Sequence, residues 1–286
     1  MFNHVLIVGP GLIGGSLGLG LRTRGLARRV TGVGRRQESL EKALAVGAVD
    51  DTTLDLLEHA GDADLIVLAT AVGLIGEQSV ALAPKMGPKA ILTDVGSVKE
   101  SVCRAAETAL LAAARGTRFV GGHPLAGSEQ RGVDAAREDL FTGALCLLTP
   151  SPATDPDGRA LARLRDMWEA LDCRVREMSA ATHDRLLAQS SHLPHVLAAA
   201  LVNAVADEAL EIAARGFLDT TRIASGDAAL WRDICLANRP ALLEALRRLD
   251  EQTAEFRRAL KSGDAAAIER FLANAKNRRD ARLKDG

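Results

Sequence analysis

A glycine-rich turn between an apolar run and an amphipathic stretch is the feature that most constrains the fold. Residues 5–16 read VLIVGPGLIGGS. In such a turn Gly9 permits the tight bend, Gly11 lets the backbone approach a pyrophosphate, and Gly14 lets the helix pack on the strand. The helix that follows presents unpaired N–H groups to an anion. The sequence therefore predicts dinucleotide binding here, and a purely structural glycine turn is the alternative.

The same alternation of strand-like and helix-like segments continues through the first half of the chain, and it is typical of a parallel sheet covered by helices. After about residue 179 the β-branched runs disappear, and Ala, Leu, Arg and Glu predominate. We therefore predict an α/β chain with a Rossmann-type, doubly wound, mostly parallel sheet over residues 1–178 and an all-helical domain over 179–286. The expected strands are 4–8, 29–34, 65–69, 90–94, 118–120, 144–148 and 173–178, and the helices between them lie near 12–25, 37–46, 73–83, 98–114 and 157–171.

Composition excludes several classes of protein. The 286 residues are 47% hydrophobic and 26% charged, as in ordinary globular proteins. A net charge of −1 provides no field for nucleic acid, and the longest apolar runs fall short of the roughly 18 residues that cross a bilayer. Four scattered cysteines show no metal-ligand spacing. We expect a cytoplasmic protein without a metal site that acts on a small molecule, not on nucleic acid or a membrane.

The end of the second predicted strand bears on the choice of cofactor. An acidic residue there would hold the ribose 2′-hydroxyl of NAD, but the sequence reads Val33-Gly34-Arg35-Arg36. Two guanidinium groups can bind a 2′-phosphate, so we favour NADP over NAD; two solvated arginines that permit either cofactor are the alternative. The candidate cofactor contacts are Gly9, Gly11, Leu12, Ile13, Gly14, Gly34, Arg35, Arg36 and Ala69.

A second cluster follows two predicted strands, at the sheet edge where open α/β folds bind ligands. It comprises DVGSVK at 94–99 and GGHPLAGSE at 121–129. His123, on what we expect to be a loop of small residues, can accept a proton near neutral pH, and Ser97 could orient it or reach a substrate oxygen. A structural histidine is the alternative.

A third cluster lies in the helical region. His192 and His195 are three residues apart and would share a helix face, with Pro194 starting or kinking that helix. A metal pair lacks a third ligand, so we prefer a polar pocket. Arg222 stands among small and apolar residues and is expected to need a buried carboxylate from the protein or the substrate. Trp231 is expected in the core.

Taken together, these segments resemble the prephenate/arogenate dehydrogenases of tyrosine biosynthesis. The resemblance covers nearly the whole chain in order, and HPLAGSE and SHLPH are its most specific parts. The segments that carry it are GPGLIGGS at 9–16, DVGSVK at 94–99, GGHPLAGSE at 121–129, SHLPH at 191–195, and TRIA and LWRDI within 221–234.

The resemblance implies NAD(P)-dependent oxidative decarboxylation of prephenate to 4-hydroxyphenylpyruvate, or of arogenate to tyrosine. It also implies a homodimer that intertwines through the helical domain. Gly34 departs from the acidic residue of the NAD-dependent members. By the same resemblance His123 is the catalytic proton acceptor, Ser97 lies near the nicotinamide, Arg222 holds a substrate carboxylate, Glu129 is a gate residue, and Ser128, His192 and His195 line the substrate site.

Two other functions remain open at this point. A β-hydroxyacid dehydrogenase or imine reductase would share the domain plan, but these enzymes usually depend on a lysine in the helical domain, and residues 100–260 contain none. A non-catalytic protein that senses dinucleotides would not need the histidine, serine and arginine set. A turnover assay with prephenate separates these possibilities.

Overall fold

The computed structural model describes residues 1–127 and 130–284 of the chain, with side chains up to residue 281. All eight strands lie before residue 178, mostly with helices between them, and the described residues after Glu177 form only helices and turns. The strands are β1 (Phe2–Val8), β2 (Ala27–Val33), β3 (Asp51–Thr53), β4 (Leu65–Leu68), β5 (Ile91–Asp94), β6 (Arg118–Pro124), β7 (Leu145–Pro150) and β8 (Arg174–Glu177). The helices are α1 (Leu12–Thr23), α2 (Gln37–Ala45), α3 (Val72–Leu82), α4 (Glu100–Ala113), α5 (Arg159–Ala170), α6 (Ala180–Leu187), α7 (Leu193–Ala204), α8 (Asp207–Glu211), α9 (Arg215–Thr221), α10 (Ala228–Ala237), α11 (Arg239–Ser262) and α12 (Ala265–Lys284).

The strands form one sheet in the order β3-β2-β1-β4-β5-β6-β7-β8. Strands β1 to β6 are parallel, β7 pairs antiparallel with β6, and β8 pairs parallel with β7. The predicted doubly wound, mostly parallel sheet followed by a helical region is confirmed. Strand β3 was not predicted, because its three residues Asp-Thr-Thr carry no apolar pattern.

The sheet is buried on both faces, as the apolar strands indicate. Val5 and Ile7 face one core, which also contains Leu164 and Trp168 of α5. Leu6 and Val8 face the opposite core. Successive side chains of a strand point to opposite faces, so β1 alone contributes to both layers, and helices must cover both.

The chain divides into two compact units, Met1–Asn238 and a second that starts at Arg239. The first contains the sheet and the helices up to α10. The second contains α11 and α12, which contact each other through Phe256 and Phe271, with ring centroids 5.2 Å apart. In the part of the chain that the structure describes, no helix combines the length and apolarity of a membrane span.

The packing of α1 depends on a glycine that the motif does not include. A Cβ on Gly18 would overlap the carbonyl oxygen of Ala48. Because that atom belongs to the backbone, it cannot rotate away as a side chain would. The absence of a side chain at Gly18 therefore sets how closely α1 approaches the segment that leads into β3.

We expect Gly18→Ala to lower the free energy of unfolding by about 1–3 kcal/mol, the range for overpacking. The matched control is Gly73→Ala, also in a helix, where the added Cβ would meet only Asp233 Oδ2 at 4.0 Å. That control should be neutral or stabilising by up to about 1 kcal/mol, since Ala is the better helix former. Urea unfolding of both variants measures the difference, and equal effects would contradict the packing argument.

Candidate functional site

The glycine turn lies where the strand order reverses. Gly9 follows β1 with φ +89°, and its N–H donates to Val33 O at the end of β2 (2.8 Å). A Cβ on Gly9 would lie 2.8 Å from Ala69 O at the end of β4. The ends of β1, β2 and β4 therefore meet at this turn, which is the switch point where open α/β sheets bind ligands.

The space at this turn suits a dinucleotide. A Cβ on Gly14 would overlap Gly9 O, whereas a Cβ on Gly11 would meet no atom of the described chain within 4 Å. Helix α1 starts at Leu12 without a side-chain cap and without an acidic residue in its first turn. The first helical N–H groups are thus available to an anion, and Gly11 leaves its outer side open to one. Gly34 follows β2, and Arg35 and Arg36 are exposed beside it.

A buried ion pair organises the ends of β5 and β6. Lys99 Nζ pairs with Asp94 Oδ2, and both side chains are fully buried. Asp94 also accepts from the N–H groups of Gly96 (2.8 Å) and Gly122 (3.3 Å), and Lys99 Nζ donates to Gly122 O (2.8 Å). These bonds compensate the buried charges and fix the backbone directly before His123.

His123 lies in a strand, and the prediction of a loop was wrong. It is paired with Leu147 of β7, beyond the last residue of β6 that pairs with β5. The reason is that antiparallel pairing with β7 continues β6 beyond Val120, where its parallel pairing with β5 ends. His123 therefore stands at the carboxyl edge of the sheet, the same edge as the glycine turn, and is 8% exposed.

The His123 ring is held by another histidine. His123 Nδ1 lies 2.8 Å from His183 Nε2, and His183 Nδ1 lies 2.8 Å from Asp184 Oδ1. Sequence reasoning offered Ser97 as the group that orients His123, but the hydrogen-bond partner of the His123 ring is His183 on α6. Ser97 lies half-buried after β5.

His192 and His195 do not share the regular helix that their spacing suggested. His192 ends a π-helical turn, Ala188–His192, and His195 lies in the first turn of α7, where Pro194 is the second residue. Asn238 Nδ2 donates to Asp184 O (2.8 Å) and lies 3.0 Å from His192 Nδ1. His192 Nδ1 is therefore the acceptor, and the ring proton of neutral His192 sits on Nε2.

Two buried ring nitrogens in this region have no hydrogen-bond partner among the described residues: His192 Nε2 and His195 Nδ1. The His195 ring stacks on Trp231, with centroids 3.5 Å apart and planes 12° from parallel. A Cβ on Gly226 would lie within 2.7 Å of both rings. The pair is thus packed tightly, and Trp231 is half-buried against the core as expected.

Arg222 is exposed, and no described carboxylate pairs with it. Arg222 was expected to need a buried carboxylate from the protein or the substrate. The short helical turn Arg222–Ser225 instead keeps its side chain at the surface, and the partner carboxylate stays a prediction. That turn packs against α7, the helix that carries His195. The predicted site residues Ser128 and Glu129 lie outside the described residues.

Burial keeps the histidines of this site neutral. It lowers the pKa of His123 well below its usual range, and the charges of His183, Lys99 and His192 act in the same direction. Burial lowers the pKa of His183 although Asp184 opposes this, and it lowers the pKa of His192 to about 4. A neutral imidazole can accept a proton, which an imidazolium cannot.

Sequence reasoning missed His183, Asp184, Asn238 and the pairing of Asp94 with Lys99. The His-Asp pair at 183–184 opens the helical region, and Asp94 and Lys99 belong to a motif that was noted without roles. Partners 60 residues apart, such as His123 and His183, leave no local periodicity. Among the described residues, no three His, Cys, Asp or Glu side chains form a group that could hold a metal ion.

Comparison with known families gives two adjacent matches. The family model described as prephenate dehydrogenase, nucleotide-binding domain, matches residues 17–177. The model described as prephenate dehydrogenase, dimerization domain, matches residues 179–274. Together they cover the sheet from β2 onwards and most of the helical region.

Individual relatives agree with these matches. The chain is 33% identical to a prephenate dehydrogenase of Bacillus subtilis, over 98% of this chain and 76% of the relative. It is 34% identical to a cyclohexadienyl dehydrogenase of Zymomonas mobilis, over 97% and 96%. A crystal structure of prephenate dehydrogenase from A. aeolicus, in complex with hydroxyphenyl propionate and NAD+, superposes with a TM-score of 0.90 at 31% identity and covers 98% of both chains.

The lowered histidine pKa values predict that stability falls in acid. The unfolded chain takes up protons on these histidines near pH 6.5, whereas the folded chain takes up a proton on His192 only near pH 4. Below about pH 6.5 the unfolded state binds more protons, so the free energy of unfolding decreases by up to about 1.4 kcal/mol per pH unit for each such histidine. Urea unfolding at about pH 7 and pH 5 measures this.

The control is His192→Asn, which keeps an acceptor for Asn238 but does not titrate. It should show a smaller decrease between the two pH values than the unchanged chain. An identical decrease would mean that His192 is not kept neutral by the fold.

Proposed function

The chain belongs to the prephenate dehydrogenase family, and from this premise we propose that it oxidatively decarboxylates prephenate, or arogenate, with His123 as the proton acceptor. It is an oxidoreductase of the NAD-binding Rossmann class. The observation that carries the proposal is the buried, neutral His123 at the same sheet edge as the dinucleotide turn. Histidine bases act in the neutral form, and ligands of parallel sheets bind at this edge.

The reaction places specific demands on the base. The ring carbon that bears the hydroxyl group loses a hydride, and that carbon-oxygen bond gains carbonyl character, so the hydroxyl proton becomes acidic and moves to His123. The ring carboxylate then leaves as carbon dioxide, its bonding electrons make the ring aromatic, and the phenolic oxygen recovers the proton. A bound nicotinamide dinucleotide supplies the hydride acceptor. His123 thus holds one proton temporarily.

The remaining residues are proposed to bind and orient the substrate. His192 Nε2–H and His195 Nδ1 are buried polar atoms without a partner among the described residues, and a polar ligand would satisfy them. Exposed Arg222, on the turn beside α7, is proposed to bind a substrate carboxylate, as the family resemblance implies. Ser97, Ser128 and Glu129 keep the roles that the family resemblance implies.

We propose a homodimer. Residues 179–274 match a dimerization domain, and this region exposes large apolar side chains such as Ile212 (83%), Leu236 (63%) and Leu260 (61%). Exposed apolar surface of this kind is typical of an interface. We also propose a domain division between residues 178 and 179, where the two family matches meet. The compact units of the fold divide later, after Asn238.

A reducing, cytoplasmic compartment is proposed as well. All four cysteines are free thiols, and Cys103, Cys146 and Cys173 are buried. Disulfides are rare where thiols are kept reduced.

The activity is tested by offering the purified chain prephenate and arogenate, each with NAD and with NADP, and following the reduced cofactor by absorbance. We expect His123→Asn to lower kcat by about 10²–10⁴, the usual contribution of a general base. Cofactor affinity should stay nearly unchanged. Near-normal turnover of this variant would overturn the role of His123.

The contrasting variant is Arg222→Gln. A group that binds substrate and transition state alike contributes uniform binding, so its loss should raise KM with little change in kcat. A large fall in kcat at constant KM would assign Arg222 another role.

Cofactor choice is tested at Gly34. We propose that NADP is preferred because Arg35 and Arg36 are exposed beside the end of β2 without an acidic neighbour at position 34. Gly34→Asp would add a carboxylate; its Cβ would lie 2.9 Å from Leu40 Cδ2, the end of a side chain that would have to shift. We expect the KM for NADP to rise about tenfold or more, since like charges repel.

Gly34→Asn is the matched control of nearly equal size without charge, and it should leave most of the NADP preference intact. A preference of the unchanged chain for NAD would contradict the proposal. So would equal effects of the Asp and Asn substitutions.

A further inference from the structure

The hydrogen bond between His123 and His183 joins two buried imidazoles, and each ring can carry its proton on either nitrogen. His183 is fully buried, and Asp184 is 2% exposed. The ring nitrogens that face each other, His123 Nδ1 and His183 Nε2, are 2.8 Å apart. One of them must donate and the other accept, because two lone pairs or two N–H groups at this distance would repel.

The direction of this bond follows from Asp184. Its oxygens accept from two backbone N–H groups at the start of α4, Lys99 N (2.7 Å) and Glu100 N (2.9 Å). A carboxylate accepts only, so His183 Nδ1, 2.8 Å from Asp184 Oδ1, is the donor. Neutral His183 then has its lone pair on Nε2, and His123 must donate to it from Nδ1.

We propose that His183 is a positioning residue that fixes His123 in the tautomer with its proton on Nδ1, leaving the Nε2 lone pair to accept the substrate proton. Asp184 in turn fixes His183. The tautomer itself follows from the geometry, and its consequence for turnover rests on the proposed function. In the other tautomer Nε2 would carry a hydrogen and could not accept, so a base in the wrong tautomer loses most of its rate contribution.

The competing arrangement is disfavoured by the whole chain of bonds. If His123 carried its proton on Nε2, its Nδ1 lone pair would face the lone pair of His183 Nε2. To relieve this, His183 would have to move its proton to Nε2, and its Nδ1 lone pair would then face the Asp184 carboxylate. Asp184 cannot turn away without releasing the two N–H groups at the start of α4.

Two substitutions at position 183 separate positioning from packing. His183→Gln keeps an amide oxygen near the position of Nε2, which can accept from His123 Nδ1. His183→Leu has a similar volume and no acceptor. We expect kcat to fall about 10²-fold or more in the Leu variant and less than about tenfold in the Gln variant, with KM and the cofactor dissociation constant nearly unchanged in both.

The tautomer is read independently by nitrogen NMR of the protein labelled at histidine, with His123→Asn used to assign the His123 signals. The unchanged chain should show His123 with a protonated Nδ1 and an unprotonated Nε2. The Leu variant should lose this pattern, and the Gln variant should retain it. This measurement requires neither substrate nor turnover, so it tests the tautomer even if the proposed reaction is wrong.

Three results would overturn the inference. One is a protonated Nε2 on His123 in the unchanged chain. Another is an equal loss of kcat in folded Leu and Gln variants. The third is a Leu variant that keeps full kcat. If the Leu variant does not fold, the NMR pattern of the unchanged chain and the kcat of the Gln variant still decide the question.

Discussion

Lys99 connects the two halves of the candidate site. Its ammonium group holds the end of β5 through Asp94 and the backbone of β6 through Gly122 O, directly before His123. Its backbone N–H binds Asp184, the residue that orients His183. The strand that carries His123 and the helix that carries His183 are therefore both hydrogen-bonded to Lys99. A buried pair of charges is a weak source of stability, since desolvation opposes the attraction, but here its many hydrogen bonds fix the geometry that a proton acceptor needs.

Burial bears directly on the proposed role of His123 as a base. A histidine whose pKa lies well below its usual range is a weak base towards water. The proton of the substrate hydroxyl, however, becomes strongly acidic only as the hydride leaves, so a weak base suffices at that moment and returns the proton once the ring is aromatic. What the reaction requires is a free lone pair at neutral pH. Desolvation favours a free lone pair on His123, because burial disfavours the charged ring.

Local pattern sufficed for the fold and for part of the site. The apolar runs located the long strands, because strands buried on both faces are continuously apolar in sequence. Strand β3 was not predicted, because its polar residues form a strand only through pairing with β2. His123 was placed on a loop because small residues surround it, and only the antiparallel partner β7 makes that segment a strand. The hydrogen bond between His123 and His183 depends on tertiary contacts, and so does the exposure of Arg222. No spacing in the sequence encodes such contacts.

Two buried ring nitrogens, His192 Nε2 and His195 Nδ1, bear on how the proposed substrate site would select its ligand. A buried polar group without a partner destabilises the fold by about 1–3 kcal/mol, so His192 Nε2 and His195 Nδ1 are unfavourable in the absence of a ligand. Asn238 holds the His192 ring, and the His195 ring is stacked on Trp231. A ligand with polar groups in matching positions removes the penalty, whereas an apolar ligand of the same shape leaves it in place. In the proposed site, selection against the wrong ligand would therefore come from buried groups that the described residues leave unpaired.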